Sequence, residues 1–360
     1  MIDTISYKDR LVQKNERNYS LDILKFLASI AVVAIHVESN YRIGEFVPNT
    51  ELWDISLIIN LLSKWSVPVF FMCSGYFLLN DKKNYTYKEF LSKRIFKVLI
   101  PFLATPIIYN VYYQYSMGGV SIKAVLLNLA KHILGYPSAV HLWFLYPLIG
   151  LYIFTPLLKG LLDKLDGKLV ILAIISCTLV KTIIPFTDIV AQWQANYWRE
   201  LPLFINAPTI YFILGGYLGR VELNKPMKIS LYIVNIIIFC ISVFLSFKID
   251  FLYSRNLEVL LDISAINNLL MSLSLFIFFK DMKLKNLKES KLFRNIVKTL
   301  SDVNFGVFLW HPIFINIIKP YFVGGNKILM DIIVQIAAVY FITSVVVYII
   351  KKIPIIRRIA

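Results

Sequence analysis

Cysteine, histidine and acidic residues are scarce in this chain: 360 residues hold three Cys, four His and 22 Asp plus Glu. Cys73, Cys177 and Cys240 each fall in apolar sequence with no paired spacing, which excludes a disulfide framework and a thiolate metal site. His36, His132, His141 and His311 are too scattered for a zinc motif, so no metal is expected. The sequence also lacks a Gly-rich dinucleotide loop, a Walker loop, an internal repeat and any nucleic-acid motif, and ATP-driven transport is therefore unsupported. No small-residue cleavage site follows the polar first twenty residues, so the apolar segment after them reads as a retained helix and not a signal peptide. Charged residues amount to only 17%, fewer than a soluble domain of this length needs to cover its surface.

What is abundant is apolar sequence. Hydrophobic residues make up 58% and the mean hydropathy is +0.67, so the fold is expected to be all-α, a polytopic membrane bundle. Stretches near the roughly twenty-residue span of a bilayer occur at 21–37, 55–79, 98–117, 141–158, 169–186, 203–219, 229–247, 264–279, 301–318 and 328–350. Ten helices put both termini on one side. With the N-terminus inside, most of the 38 Lys and Arg fall in cytoplasmic segments, as the positive-inside rule requires. The organisation is then a cytoplasmic segment 1–20, a transmembrane domain 21–350 and a short basic cytoplasmic tail 351–360. The net charge of +16 is accounted for by anionic headgroups and cytoplasmic anions, without nucleic acid. The basic run from Lys280 to Lys298 reads as a solvated cytoplasmic loop. His132 and Trp193 are expected to be reachable from outside, and Lys88 and Lys288 only from inside.

The first apolar helix carries ionisable groups in line. Lys25 and His36 are eleven residues apart, close to a whole number of turns, so they share a face and lie roughly 16.5 Å apart along the axis. Asp22 and Ser29 fall on the same stripe. Polar groups in a membrane span face a protein interior and point to a functional site; the competing reading is snorkelling by Asp22 and Lys25 with an interfacial His36. An imidazole is the side chain suited to moving a proton near neutral pH, which makes His36 a candidate general base.

Other candidates are spread along the chain. Arg94 and Lys97, at i and i+3 on the inner surface, suit a phosphorylated ligand, and the alternative is ordinary interfacial anchoring. Ser74-Gly75 ends the second span and also suits close helix packing. His141 opens the fourth span with Trp143 beside it. His311 precedes Pro312, which frees the carbonyl of Phe308, so His311 reads either as functional or as the group that re-satisfies a kinked backbone.

Taken in order, Leu21-Asp-Ile-Leu-Lys-Phe26 with His36, Ser66-Val-Pro-Val-Phe-Phe-Met-Cys-Ser-Gly-Tyr76, Arg94-x-x-Lys97, His141-Leu-Trp-Phe-Leu145, Ile213-Leu-Gly-Gly-Tyr-Leu-Gly-Arg220 and Phe305-Gly-Val-Phe-Leu-Trp-His-Pro312 resemble the acyltransferase-3 family of integral membrane proteins. Within it the chain is most similar to glycan O-acetyltransferases and to the membrane domains of vancomycin-resistance serine racemases. The resemblance implies transfer of an acyl group, usually acetyl, from cytoplasmic acetyl-CoA or another acyl-CoA to a hydroxyl of a cell-surface glycan or lipid-linked sugar, in the inner membrane of a bacterium. It implies His36, Lys25 and Asp22 as catalytic residues, Arg94, Lys97 and Ser74 as the acyl-CoA site, and His141, Trp143 and His311 as the acceptor site. Lys25 stands where the family often has Arg, and Lys97 replaces the second of a pair of arginines. The reaction is expected to be completed within the membrane part.

Two other classes fit part of the pattern. A secondary transporter or flippase would also show membrane-embedded Lys25, Lys64, His36 and Lys181 and Pro-broken spans such as Pro101 to Pro106. A non-catalytic ligand-binding membrane domain is the third reading.

Overall fold

A computed structural model of the chain describes residues 17–44, 50–83, 85–191, 206–253, 262–322 and 328–360, and every regular element among them is helical. The helices are α1 Tyr19–Gly44, α2 Glu51–Ser63, α3 Ser66–Leu79, α4 Tyr87–Arg94, α5 Phe96–Ser116, α6 Ile122–Ile133, α7 Leu145–Lys164, α8 Gly167–Ala191, α9 Ala207–Leu218, α10 Lys225–Tyr253, α11 Ile266–Asp281, α12 Lys285–Glu289, α13 Lys291–Ile318 and α14 Ile328–Lys352. A 3-10 turn, Val140–Phe144, leads into α7. Among the described residues, six helical segments are long and apolar enough to cross a membrane, and shorter apolar helices add to them. The chain is a polytopic helical membrane bundle. A helix overlaps each of the ten expected spans.

Local chemistry sets several ends. Thr50, Ser121, Asn206 and Ser290 cap α2, α6, α9 and α13 by accepting the backbone N–H three residues on. Thr86 and Glu89 close a capping box at α4. The second span, expected as one helix over 55–79, is broken at Lys64 and Trp65. Pro68 explains the break, because it has no N–H to offer the Lys64 carbonyl four residues back. The loop expected between the third and fourth spans contains α6, whose Ile122, Leu126 and Ile133 are exposed along one stripe while Val125 and His132 are buried on another.

Two seams hold the bundle. Along the first, α1 and α13 run side by side in the same direction: Ser301 Oγ donates to Asp22 Oδ1 at 2.8 Å, Ser29 Oγ lies 3.0 Å from the Asn304 side-chain amide, and the His36 and His311 rings are 5.0 Å apart. Ser301, Asn304 and His311 repeat at three and seven residues, which keeps them on one helical face. The second seam is backbone against backbone. A Cβ on Gly75 of α3 would lie 1.8 Å from the Phe212 carbonyl oxygen of α9, and one on Gly215 would lie 2.0 Å from the Met72 oxygen. Only glycine permits this approach. Asn80 and Arg220 close the inner end of the pair: Asn80 Nδ2 donates to the Gly216 oxygen at 3.0 Å, and Arg220 Nη2 to the Leu79 oxygen at 3.1 Å.

The ion pairs agree with the charge-based topology. Arg17–Asp302, Arg94–Asp81, Arg220–Asp163 and Lys228–Asp281, at 3.1, 3.2, 2.6 and 2.5 Å, each join two residues expected at the cytoplasmic ends of their spans. The basic tail is packed rather than splayed. Its turn Arg357–Ile359 lies against α5, and the Trp310 indole donates to the Ile359 oxygen at 3.1 Å.

The expectation that His132 is accessible is corrected. The side chain is fully buried; its ring is 4.6 Å from that of Phe102, and Nδ1 accepts from the Ser138 N–H at 3.2 Å. Trp193 and the side chain of Lys181 lie outside the described residues. Lys131, the exposed neighbour of His132, is the external probe instead. In a background without Cys73, Cys177 and Cys240, Lys131→Cys should react with an impermeant maleimide on intact cells. Lys88→Cys and Lys288→Cys should react only after permeabilisation, and external labelling at 288 would refute the ten-helix topology.

Candidate functional site

At the outer end of the α1–α13 seam, three histidines from distant parts of the chain meet. The His36 ring is 5.0 Å from that of His311 and 6.1 Å from that of His141, and the last two are 5.4 Å apart. His36 and His141 line a cavity of about 190 Å³ together with Lys64, Trp143, Val140 and Phe308. His311 is not in its lining; it is fully buried behind it. Trp143, also in the lining, is exposed.

Backbone carbonyls fix two of the imidazoles. Pro312 leaves the Phe308 carbonyl without its helical donor, and His311 Nδ1 lies 2.9 Å from that oxygen and 3.0 Å from the Val307 oxygen. Nδ1 therefore carries the proton and Nε2 keeps a lone pair. That nitrogen is buried with no hydrogen-bond partner among the described residues. His141 Nε2 lies 3.1 Å from the Leu309 oxygen, which also accepts from the Tyr109 hydroxyl at 2.8 Å. Tyr109 is fully buried and stacks on Trp310 with ring centroids 6.0 Å apart. His36 is half-buried and lines the cavity.

The inner end of the seam gathers the other candidates. Lys25 Nζ is 2.7 Å from Asp22 Oδ1, and Asp22 is buried, also accepting from Arg17 Nε. The Lys25 ammonium lies 5.5 Å from the centre of the Phe77 ring of α3. One turn back along α3, Ser74 lies beside Tyr152 of α7, and Arg94 is near enough for its charge to act on the same tyrosine. Arg94 pairs with Asp81 at 3.2 Å. Lys97 is exposed and near enough to Lys351 of α14 for the two charges to interact. Arg94 and Lys97 thus share the inner rim but point to different neighbours.

Asp22, Lys25, Ser74 and Arg94 converge at one end, and His36, His141, Trp143 and His311 at the other. Sequence reading missed Tyr109, which looks like any aromatic in an apolar span, and the place of Lys64 in the cavity wall. Pro68 was the available signal for the latter, since it marks where the span breaks. Among the described residues no group of three or more His, Cys, Asp or Glu is arranged to hold a metal ion.

Comparison with known proteins gives a family. The profile described as "Acyltransferase domain" matches residues 18–352. Two proteins named amino-acid racemase, both from Enterococcus faecalis, are also similar. One is 29% identical over 156 residues, covering 41% of this chain and 21% of the racemase. The other is 28% identical over 228 residues, covering 57% of this chain and 29% of the racemase. The chain therefore spans under a third of the length of either. No solved structure matches.

Proposed function

The chain belongs to the acyltransferase-domain family that matches its residues 18–352, and from that premise we propose that it moves an acyl group, acetyl in the simplest case, from a cytoplasmic acyl-CoA to a hydroxyl of a cell-surface glycan or lipid-linked sugar. In this reading the membrane is the inner membrane of a bacterium. The observation that supports it best is the continuous polar seam from Asp22 and Ser301, through Ser29 and Asn304, to His36 and His311. It joins a cationic inner rim to an outer cavity, as a donor and an acceptor held on opposite faces of a membrane require.

The residues divide the work. Arg94 and Lys97 receive the phosphates of the CoA headgroup, Arg94 exchanging Asp81 for them. Ser74 and Lys25 border the path of the pantetheine arm, and Asp22 pins Lys25 in place. At the outer end the acceptor sugar stacks on Trp143 and hydrogen-bonds His141. His36 takes the hydroxyl proton as the oxygen attacks the thioester carbonyl carbon, a base role typically worth 10² to 10⁴ in rate. His311, its Nδ1 held by the Phe308 and Val307 carbonyls, packs its ring 5.0 Å from that of His36 and positions it by contact.

The test has two arms. Purified protein in liposomes should release free CoA thiol from acetyl-CoA, and glycans from cells carrying the gene should be heavier by one acyl group than those from cells without it. No thiol release and unchanged glycan masses would refute the reading. For the donor site, replacing Arg94 and Lys97 together by Gln should raise the KM for acetyl-CoA at least tenfold with kcat nearly unchanged, since each charge-assisted phosphate contact is worth about 1.5 to 3 kcal/mol before screening by solvent. An unchanged KM would move the headgroup elsewhere on the inner rim.

A further inference from the structure

Tyr109, midway along α5, takes no part in the chemistry above. It is fully buried, and a buried phenol needs an acceptor, for which any main-chain carbonyl of the core would serve. The one it uses is the Leu309 oxygen at 2.8 Å, the same oxygen that meets His141 Nε2 at 3.1 Å. The Tyr109 oxygen itself lies 3.4 Å from that nitrogen, and the two rings are 5.3 Å apart. Three groups, from α5, from the turn before α7 and from α13, thus close a triangle. Of the three residues, only His141 belongs to the cavity lining.

The triangle decides where the imidazole keeps its proton. A carbonyl oxygen can only accept, so the nitrogen that meets it carries the N–H. The Tyr109 proton is committed to the same carbonyl, and its oxygen therefore turns a lone pair toward Nε2. Both partners call for a proton at Nε2, which leaves Nδ1 of the neutral ring as an acceptor. His311 shows the opposite choice, with carbonyls of its own helix on Nδ1.

We propose that Tyr109 is a positioning residue of the acceptor site: with the Leu309 carbonyl it locks His141 in the form protonated at Nε2, so that Nδ1 accepts a hydrogen bond from a hydroxyl of the bound acceptor. The proposal rests on the acyl-transfer reading. Its two elements are distinct, one naming the nitrogen that meets the acceptor and the other the residue that selects it.

Transfer of labelled acetyl from acetyl-CoA into glycan, in membranes of the native host that hold the acceptor, measures both. Tyr109→Phe removes only the hydroxyl and should lower the rate at least twofold, up to about tenfold, the worth of one hydrogen bond. His141→Asn places an amide oxygen near the position of Nδ1, whereas His141→Gln reaches toward Leu309 and leaves the Nδ1 position empty. The Asn variant should therefore be the faster of the two. In the His141→Asn background Tyr109→Phe should cost less than twofold further, because its effect runs through Nε2. A loss under twofold in the Tyr109→Phe single variant overturns the role of Tyr109, and so does an undiminished loss in the Asn background, which a merely structural tyrosine would give. A Gln variant as fast as the Asn variant overturns the assignment of Nδ1. If neither variant at 141 is active, nitrogen-15 spectra of histidine-labelled protein in liposomes at alkaline pH decide: the ring signal that moves on Tyr109→Phe must belong to an imidazole protonated at Nε2, and one protonated at Nδ1, or no movement, overturns the proposal. A parent that transfers no label above the His36→Ala background overturns the acyl-transfer reading, while the same spectra still test the pairing of Tyr109 with His141.

Discussion

Replacing His36 by alanine is expected to cut acyl transfer at least 10²-fold while the protein still purifies as a folded, monodisperse species. The expectation follows from where the ring stands. His141 and His311 each give a nitrogen to a backbone carbonyl, at 3.1 Å and 2.9 Å, so one nitrogen of each ring is committed as a donor. His36 is the half-buried imidazole that faces the cavity. Its loss enlarges a space that already exists, instead of opening a void in the apolar core. His36→Gln keeps a hydrogen-bonding group but cannot accept the proton, and it should be nearly as inactive. Thiol release from acetyl-CoA with acceptor present measures both. A Gln variant with more than about a tenth of parent activity would reduce His36 to a positioning group, since proton transfer alone should be worth at least 10²-fold, and the bare Nε2 of His311 would become the base to test.

The second large effect is on the fold. Gly75→Ala should leave little folded protein in detergent extracts, because the new methyl would lie 1.8 Å from the Phe212 carbonyl oxygen. Overpacking costs about 1 to 3 kcal/mol when side chains can adjust. Here the obstacle is main chain in the middle of a helix, so the cost should reach or exceed the top of that range. Gly215→Ala, aimed at the Met72 oxygen from 2.0 Å, should behave alike. Gly150→Ala is the control, because a Cβ there meets nothing within 4 Å. Thermal unfolding followed by loss of the monodisperse peak would compare them, and a Gly75→Ala protein as stable as the Gly150→Ala one would show that the two helices do not touch as described.

The spans were legible because bilayer thickness sets a length that hydropathy reports directly. The stripe of Asp22, Lys25, Ser29 and His36 was legible because helical spacing alone aligns it, and the i,i+3 pairing of Asp22 with Lys25 appears at 2.7 Å. What faces that stripe was not. Ser301, Asn304 and His311 lie more than 260 residues away, and nothing local says which of ten helices packs beside α1. The meeting of His36, His141 and His311 is tertiary in the same sense. α6 escaped notice although its stripe of Ile122, Leu126 and Ile133 has helical spacing, because it is too short to span and was read as loop. The glycines at 215, 216 and 219 suited packing within the bundle or between subunits. The structure spends them inside, on Met72, Leu79 and Asn80.

That glycine contact also bears on motion. Two helices whose main chains interlock, as α3 and α9 do at Gly75 and Gly215, have no side-chain layer between them to act as a slip plane. Neither can turn about its axis or ratchet by one residue without driving a carbonyl oxygen into a Cα. They travel as one strut. A carrier that exposes its substrate first to one side and then to the other needs a plane along which halves of the bundle shear, and this pair cannot supply it. A fixed passage in which a flexible donor arm does the moving asks nothing of the strut except that it hold still.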